Sequence, residues 1–151
     1  MQADDDFETV FLRERTPMVR LAFLMLGSEA QSEEVVQDAF ITVLERWSQV
    51  DNPGGYLRRC VVNGCLRQLR RARRPVPQPV GAPVADLATD HTLDAVRRLR
   101  PQRQAMVVLR FYADMTQDEI ADTLGLSVGT VKSGLHRALG ELKEALRDGT
   151  A

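Results

Sequence analysis

Aromatic residues are scarce in this chain, at 5% of 151 positions, with a single tryptophan. Sheets draw on aromatic and β-branched side chains. The Leu, Val and Ala abundant here suit helices packed through aliphatic contacts, so the composition points to an all-α fold and away from a β-sandwich. Cysteine is limited to Cys60 and Cys65. Two cannot build a disulfide framework, and five positions apart on a helix they face different sides; they read as reduced thiols. The only histidines, His91 and His136, are far apart and suggest no metal-ligand spacing. There is no Gly-rich phosphate loop, no HExxH and no Cys/His cluster, so the residues point to no cofactor and no catalytic centre. The longest apolar run, Leu21 to Leu26, falls far short of the roughly 20 residues that cross a bilayer. The acidic start carries no signal-peptide pattern, and a soluble, cytoplasmic protein is expected.

Net charge is also nearly absent, at −1, but the charges are sorted. Ten acids fall in the first 45 residues: Asp4, Asp5, Asp6, Glu8, Glu14, Glu29, Glu33, Glu34, Asp38 and Glu45. From Arg58 to Arg74 there are seven arginines and no acid. A near-neutral sum conceals one acidic and one basic region.

Residues Pro75 to Ala85 read PVPQPVGAPVA. Four prolines in this stretch remove backbone donors and block helix interiors, so it reads as a linker. The chain divides into a unit at 1–74, a flexible linker at 75–89 and a unit at 90–151. In the first unit a helix is expected from about Asp5 to Leu26, kinked at Pro17 and ended by Gly27. A second is expected after Ser32 as N-cap, with Val35, Val36, Ala39, Phe40, Val43, Leu44 and Trp47 on one stripe. A turn follows at Asp51–Gly55, then a third helix carrying the arginines. In the second unit Leu93, Val96 and Leu99 mark a short helix. Pro101 opens another, with Met106, Val107, Leu109 and Phe111.

The segment QDEIADTLGLSVGTVKSGLH, Gln117 to His136, has the pattern of a helix-turn-helix. Thr116 and Glu119 form a capping box. Ala121 is small where the second helix crosses, Gly125 tolerates positive φ at the turn, and Ser127 caps the next helix. Ile120, Leu124, Leu126, Val128 and Val131 supply the apolar lock. On the last helix Val131, Leu135 and Leu139 are expected to turn inward. Thr130, Lys132, Ser133, His136 and Arg137 turn outward, where a major groove would offer phosphates and base edges. The arginine helix RRCVVNGCLRQLRRARR would repel itself without a counter-surface, and nucleic-acid phosphate supplies one.

Together these features resemble the extracytoplasmic-function sigma factors of the sigma-70 family, in their small actinobacterial style. The resemblance runs over about 7–74 and 92–147. SEEVVQDAFITVLERW is similar to the polymerase-binding helix of sigma region two, which implies docking on core RNA polymerase through Glu34, Gln37, Asp38 and Glu45. PGGYLRRCVVNGCLRQLRRARR is similar to the segment that recognises and melts the −10 promoter element. It implies backbone contacts from Arg58, Arg59, Arg67, Arg70, Arg71, Arg73 and Arg74, and an unstacked base held by the turn at Asp51–Gly55 with Asn63 nearby. LRPQRQAMVVLRFYADMTQDEIADTLGLSVGTVKSGLHRAL is similar to region four and implies that its last helix reads the −35 element. The implied partners are the polymerase clamp coiled coil and flap, promoter DNA and, commonly in the family, an anti-sigma factor. The chain departs from the pattern at Gly134, where a basic residue is common, and near Arg67 and Gln68, where an acid is common.

Read without the resemblance, the residues leave three alternatives. They are a helix-turn-helix regulator acting without polymerase, a small recombinase or nuclease with the same reader, and a protein-interaction adaptor. A regulator needs one reader, usually duplicated by dimerisation. Two unlike basic modules with an acidic helix suit two separated promoter elements and a polymerase surface.

Overall fold

The computed structural model describes residues 6–71 and 91–149; the Pro-rich segment at 75–89, with Arg73 and Arg74, lies outside them. Helix α1 spans Phe7–Leu26 and is continuous through Pro17. The Asp6 carboxylate caps it, accepting from the Thr9 amide at 2.8 Å. Those hydrogen bonds hold the Asp6 carboxyl below its ordinary range. Gly27, at φ 69°, ends the helix in the left-handed region that only glycine enters freely.

Helix α2 spans Glu29–Glu45. It begins one turn earlier than Ser32 would have placed it. Ser28, immediately after Gly27, is the N-cap and accepts from the Gln31 amide at 3.2 Å. Ser32 is buried one turn inside and donates its hydroxyl back to the Ser28 carbonyl at 2.6 Å. A short 3₁₀ turn, Trp47–Gln49, leads to α3, Pro53–Arg71. The expected turn at Asp51–Gly55 is therefore shorter than its composition suggests. Pro53 starts the helix, and the Asn52 side chain accepts from the Gly55 amide at 3.2 Å, so Gly54 and Gly55 are helical.

Helices α1, α2 and α3 close around Leu21, Met25, Val43, Leu57, Val61 and Val62, all essentially inaccessible to solvent. Burying each such side chain contributes about 1.5–3 kcal/mol. Four of the eight aromatics gather at one end, where the rings of Phe11 and Phe40 meet edge to face at 4.7 Å and Phe7 bridges to Trp47 at 5.8 Å. A Cβ on Gly64 would lie 2.8 Å from Val35 Cγ1, so α2 and α3 touch nearly backbone to side chain there. Both cysteines are free. Burial raises the Cys60 thiol and pushes Cys65 up to about 12, so neither favours the reactive thiolate near neutral pH.

The second unit comprises α4, His91–Arg98; α5, Pro101–Phe111; α6, Gln117–Leu124; and α7, Val128–Gly149. Leu109, Ile120, Val131 and Ala138 form its interior. Three residues expected inside are not: Val128, assigned to the apolar lock, is 41% exposed at the start of α7, Phe111 is 61% exposed and Leu139 44%. Phe111 and Leu139 flank clefts on either side of the α5–α7 contact, so they edge the core rather than fill it.

The units share one continuous apolar core, with α5 seated against α1 and α3. The seam is also polar in a specific way. The last carbonyls of a helix run out of partners within it; here the Phe23 carbonyl accepts from the Gly27 cap amide at 2.8 Å and the second unit adds further donors. Arg97 Nη2 donates to the Phe23 carbonyl at 2.9 Å, and the buried Gln104 Nε2 donates to the Met25 carbonyl at 2.8 Å. The last turn of α1 contains no basic residue of its own. Its cation is supplied by Arg97, where the helix dipole favours positive charge.

Candidate nucleic-acid interface

The helix-turn-helix is built as its sequence implies, except that Val128 of the expected apolar lock is exposed. Thr116 donates its amide to Glu119 Oε1 at 2.8 Å, and the Glu119 amide donates to Thr116 Oγ1 at 3.1 Å. These hydrogen bonds, more than the nearby Arg58 charge, hold the Glu119 carboxyl below the usual glutamate range. Gly125 closes α6 at φ 70°, with the Leu126 amide donating to the Ala121 carbonyl at 2.9 Å. Ala121 is buried at the crossing. Ser127 caps α7, accepting from the Thr130 amide at 3.1 Å.

On α7 all five expected residues, Thr130, Lys132, Ser133, His136 and Arg137, are exposed. They are not equivalent. Lys132, Ser133 and His136 line one open cleft; Thr130 and Arg137 lie outside its lining. Thr130 Oγ1 shares a hydrogen bond with Ser127 Oγ at 2.8 Å, and the Ser133 hydroxyl donates to the Gly129 carbonyl at 2.9 Å. Ser133 therefore faces outward chiefly as an acceptor.

The same cleft contains two polar residues that sequence reasoning missed, Arg110 and Gln117. Arg110 ends α5, and its guanidinium sits 5.8 Å from the centre of the Phe111 ring. Gln117 is the first residue of α6, where free amides favour an anion. The signal available was positional: a cation in the last turn before the motif and an amide side chain at its first residue. Gly134, noted in the sequence for lacking a basic side chain, turns out to face inward. A Cβ there would lie 2.5 Å from Met106 Sδ, so α7 crosses α5 at this residue.

On α3 the arginines divide. Arg67, Arg70 and Arg71 are exposed along the C-terminal half. Arg58 is half-buried, its Nε without a hydrogen-bond partner, and Arg59 reaches the second unit. Asn63 lies in a groove with Glu34, Asp38, Arg67 and Arg71, whereas Asp51, Asn52 and Gly55 line a different one with Arg58 and Arg59. Asn63 and the 51–55 segment are thus not brought to a single pocket.

On α2, Glu34, Gln37, Asp38 and Glu45 are all exposed. Gln37 borders an apolar groove with Phe7, Phe11, Val19, Ile41 and Leu44, while Glu34 and Asp38 face α3. Ile41 and Leu44 are about half exposed, and neither had been singled out from the sequence as part of a docking face. Among the described residues there is no cluster of metal-ligating side chains and no helix long and apolar enough to cross a membrane.

Known proteins place the chain in a family. The sigma-70 region 2 profile matches residues 10–75, and the sigma-70 region 4 profile matches 92–142. The RNA polymerase sigma-E factor of Streptomyces coelicolor is 31% identical over 153 residues, covering 93% of this chain and 86% of that protein. The ECF RNA polymerase sigma factor SigM of Mycobacterium tuberculosis is 34% identical, covering 93% and 76%. The fold is shared with CnrH, solved in complex with the cytosolic domain of CnrY, at a TM-score of 0.73 and 26% identity over 99% of this chain and 94% of that one. It is also shared with RpoE, solved with the anti-sigma factor NepR from Bartonella quintana, at 0.74 and 20% identity over 94% and 97%. With two helical units, a helix-turn-helix and relatives that align over nearly its whole length, the chain belongs to the extracytoplasmic-function sigma factors of the sigma-70 family.

Proposed function

We propose that this sigma factor divides its work among three faces: α2 docks on core RNA polymerase, α3 grips DNA at the −10 element, and α7 reads the −35 element. The observation that carries this reading is the separation of charge by helix. Glu34, Gln37, Asp38 and Glu45 stand on α2, the arginines on α3, and Lys132, His136 and Arg137 on α7, all in contact with solvent or a groove. The protein acts by binding, with polymerase supplying the chemistry, and works in the cytoplasm. Residues 1–74, 75–89 and 90–151 correspond to region two, a linker and region four, with Arg73 and Arg74 extending the α3 set.

Within the −35 face Lys132, Ser133 and His136 reach base edges or phosphates, with Thr130 and Arg137 at the rim. Arg110 and Gln117 bind the phosphates beside them. On the polymerase side, Ile41 and Leu44 supply apolar contact beside the acids, so the clamp partner buries hydrophobic area as well as pairing charge. A second apolar groove, bounded by Leu24, Val96, Val107, Phe111 and Leu142, offers a site for an apolar helix of the polymerase flap or of an anti-sigma factor.

The test is in vitro transcription on a genomic fragment library with bacterial core polymerase, with and without the protein. New start sites sharing two upstream elements are expected. Salt-sensitive duplex binding with no new transcripts would replace this reading with a polymerase-independent regulator.

A further inference from the structure

The polar side chains on the outer face of α7 differ in what they have left to offer a ligand. The Ser133 hydroxyl hydrogen is taken by the Gly129 carbonyl, and Thr130 and Ser127 share a hydrogen bond with each other. The His136 ring is exposed, and among the described residues nothing donates to it or accepts from it. It lines the open cleft together with Lys132, one turn earlier on α7, and Arg110 at the end of α5. Arg137 is the next residue along the helix. Among the described residues no acid lines this cleft. The acids nearby are turned elsewhere. On α6, Glu119 is bonded to Thr116 and lines the pocket beside α3 with Asp122, and Asp118 lies outside the cleft lining. On α7 itself, Glu141 is paired with Arg103 of α5 at 2.7 Å. Helix α4 meets the later part of α7 through Thr92, Leu93 and Val96, in the apolar groove beyond Leu139.

Histidine is the side chain whose charge ordinarily changes between pH 5 and 8. A neutral ring offers one donor and one acceptor, whereas a protonated ring offers two donors and a positive charge. Beside Arg110 and Lys132, a third cation finds no counter-charge in the unliganded cleft. A DNA phosphate supplies one. If DNA favours the protonated ring, then by linkage the proton favours DNA, by the same factor.

We propose that His136 is a proton-linked phosphate contact: DNA entering the cleft of α7 brings a proton onto the ring, which then acts with Arg110 and Lys132 as a third cation. Engagement of the −35 face thus strengthens as the surroundings acidify and weakens as pH rises. This inference rests on the assignment of α7 as a DNA face.

The experiment uses the full chain and a short mixed-sequence duplex, with fluorescence anisotropy at about pH 5.5 and about pH 8 over a series of salt concentrations. The unaltered chain is expected to bind up to about tenfold tighter at the acid end, the gain that follows if DNA tightens the hold on the proton tenfold. Its salt dependence there should be steeper by about 0.9 in logarithmic slope, the mark of one more neutralised phosphate. His136→Gln, neutral throughout, should bind alike at both pH values, and His136→Lys, charged throughout, should keep the tighter affinity and steeper slope at both. His91→Gln, at the other histidine, should leave the pH dependence in place. Equal affinity of the unaltered chain at the two pH values would overturn the proposal, as would a pH dependence that His136→Gln retains. Tightening with no change in salt slope would also overturn it, since the ring would then be donating to a base edge. Lys132→Ala tests the α7 assignment separately and should weaken binding at both pH values. If it has no effect at either, α7 is not the DNA face, and that reading fails whatever the pH profile.

Discussion

Gly134 of α7 lies against Met106 of α5 so closely that a Cβ on the glycine would come within 2.5 Å of the methionine sulfur. Helix α7 is therefore positioned by a glycine on its inner side. Glycine inside a helix is about 1 kcal/mol less favourable than alanine, and the closeness of the crossing accounts for its presence.

Gly134→Arg should consequently destabilise the protein, by about 1–3 kcal/mol, through overpacking. Met106→Ala, which removes the obstructing side chain, should recover part of that loss. Urea melts of the two single variants and the double variant form the cycle that checks it. Strictly additive losses would mean that the two side chains do not meet.

Gly27 and Gly125 share nearly the same left-handed backbone, at φ 69° and 70°, but not the same surroundings. A Cβ on Gly125 meets nothing within 4 Å, whereas one on Gly27 comes within 3.1 Å of the Arg97 guanidinium carbon. Gly125→Ala should cost about 1–2 kcal/mol from the backbone alone. Gly27→Ala should cost more, because it also disturbs the cation that caps α1. Thermal denaturation of both variants ranks them.

The capping box contributes a pH dependence of known sign. The Glu119 carboxyl is lowered by its hydrogen bonds with Thr116. Its contribution is therefore complete above the ordinary glutamate range and is lost as pH falls through the lowered value. Glu119→Gln should flatten the acid limb of a stability-versus-pH curve relative to the unaltered protein. Thr116→Ala should cost about 1 kcal/mol at neutral pH.

Binding to promoter DNA and binding to polymerase should separate by helix. Lys132→Ala with Arg137→Ala should weaken use of promoters carrying a −35 element and leave affinity for core polymerase intact. Gln37→Ala with Asp38→Ala should do the reverse. Arg110→Ala should weaken DNA binding across sequences and reduce the salt slope by about one, the mark of a phosphate contact. Salt titrations with duplex DNA and pull-downs with core polymerase read the two activities.

The local features were legible in the sequence because their causes are local. Thr116 and Glu119 sit three residues apart, Gly125 lies four after Ala121, and Pro101 starts a helix; each is a short-range rule that the structure obeys. Competing local signals produced the displaced starts. Ser28 and Ser32 can both cap, and the position of Gly27 decides for Ser28. Asn52 and Pro53 together read as a turn or as a helix start, and the cap to Gly55 decides for the helix. The seam between the units was not legible. Gln104 and Met25 are 79 residues apart, and a glutamine on an otherwise apolar face carries no mark of the carbonyl it will meet. Arg110 was missed for a similar reason: only the fold brings the end of α5 alongside Lys132 and His136.

The crossing at Gly134 also bears on how promoter choice can drift among relatives. The exposed face of α7 and the interior behind it share a residue, so a side chain added at this position requires the tip of Met106 to shift. Changes at Lys132, His136 or Arg137 carry no such condition, since those side chains are exposed. Substitutions at the outer positions should thus be tolerated more readily than substitutions at this inner one. Libraries built to retarget the protein would gain most by varying residue 134 and residue 106 as a unit.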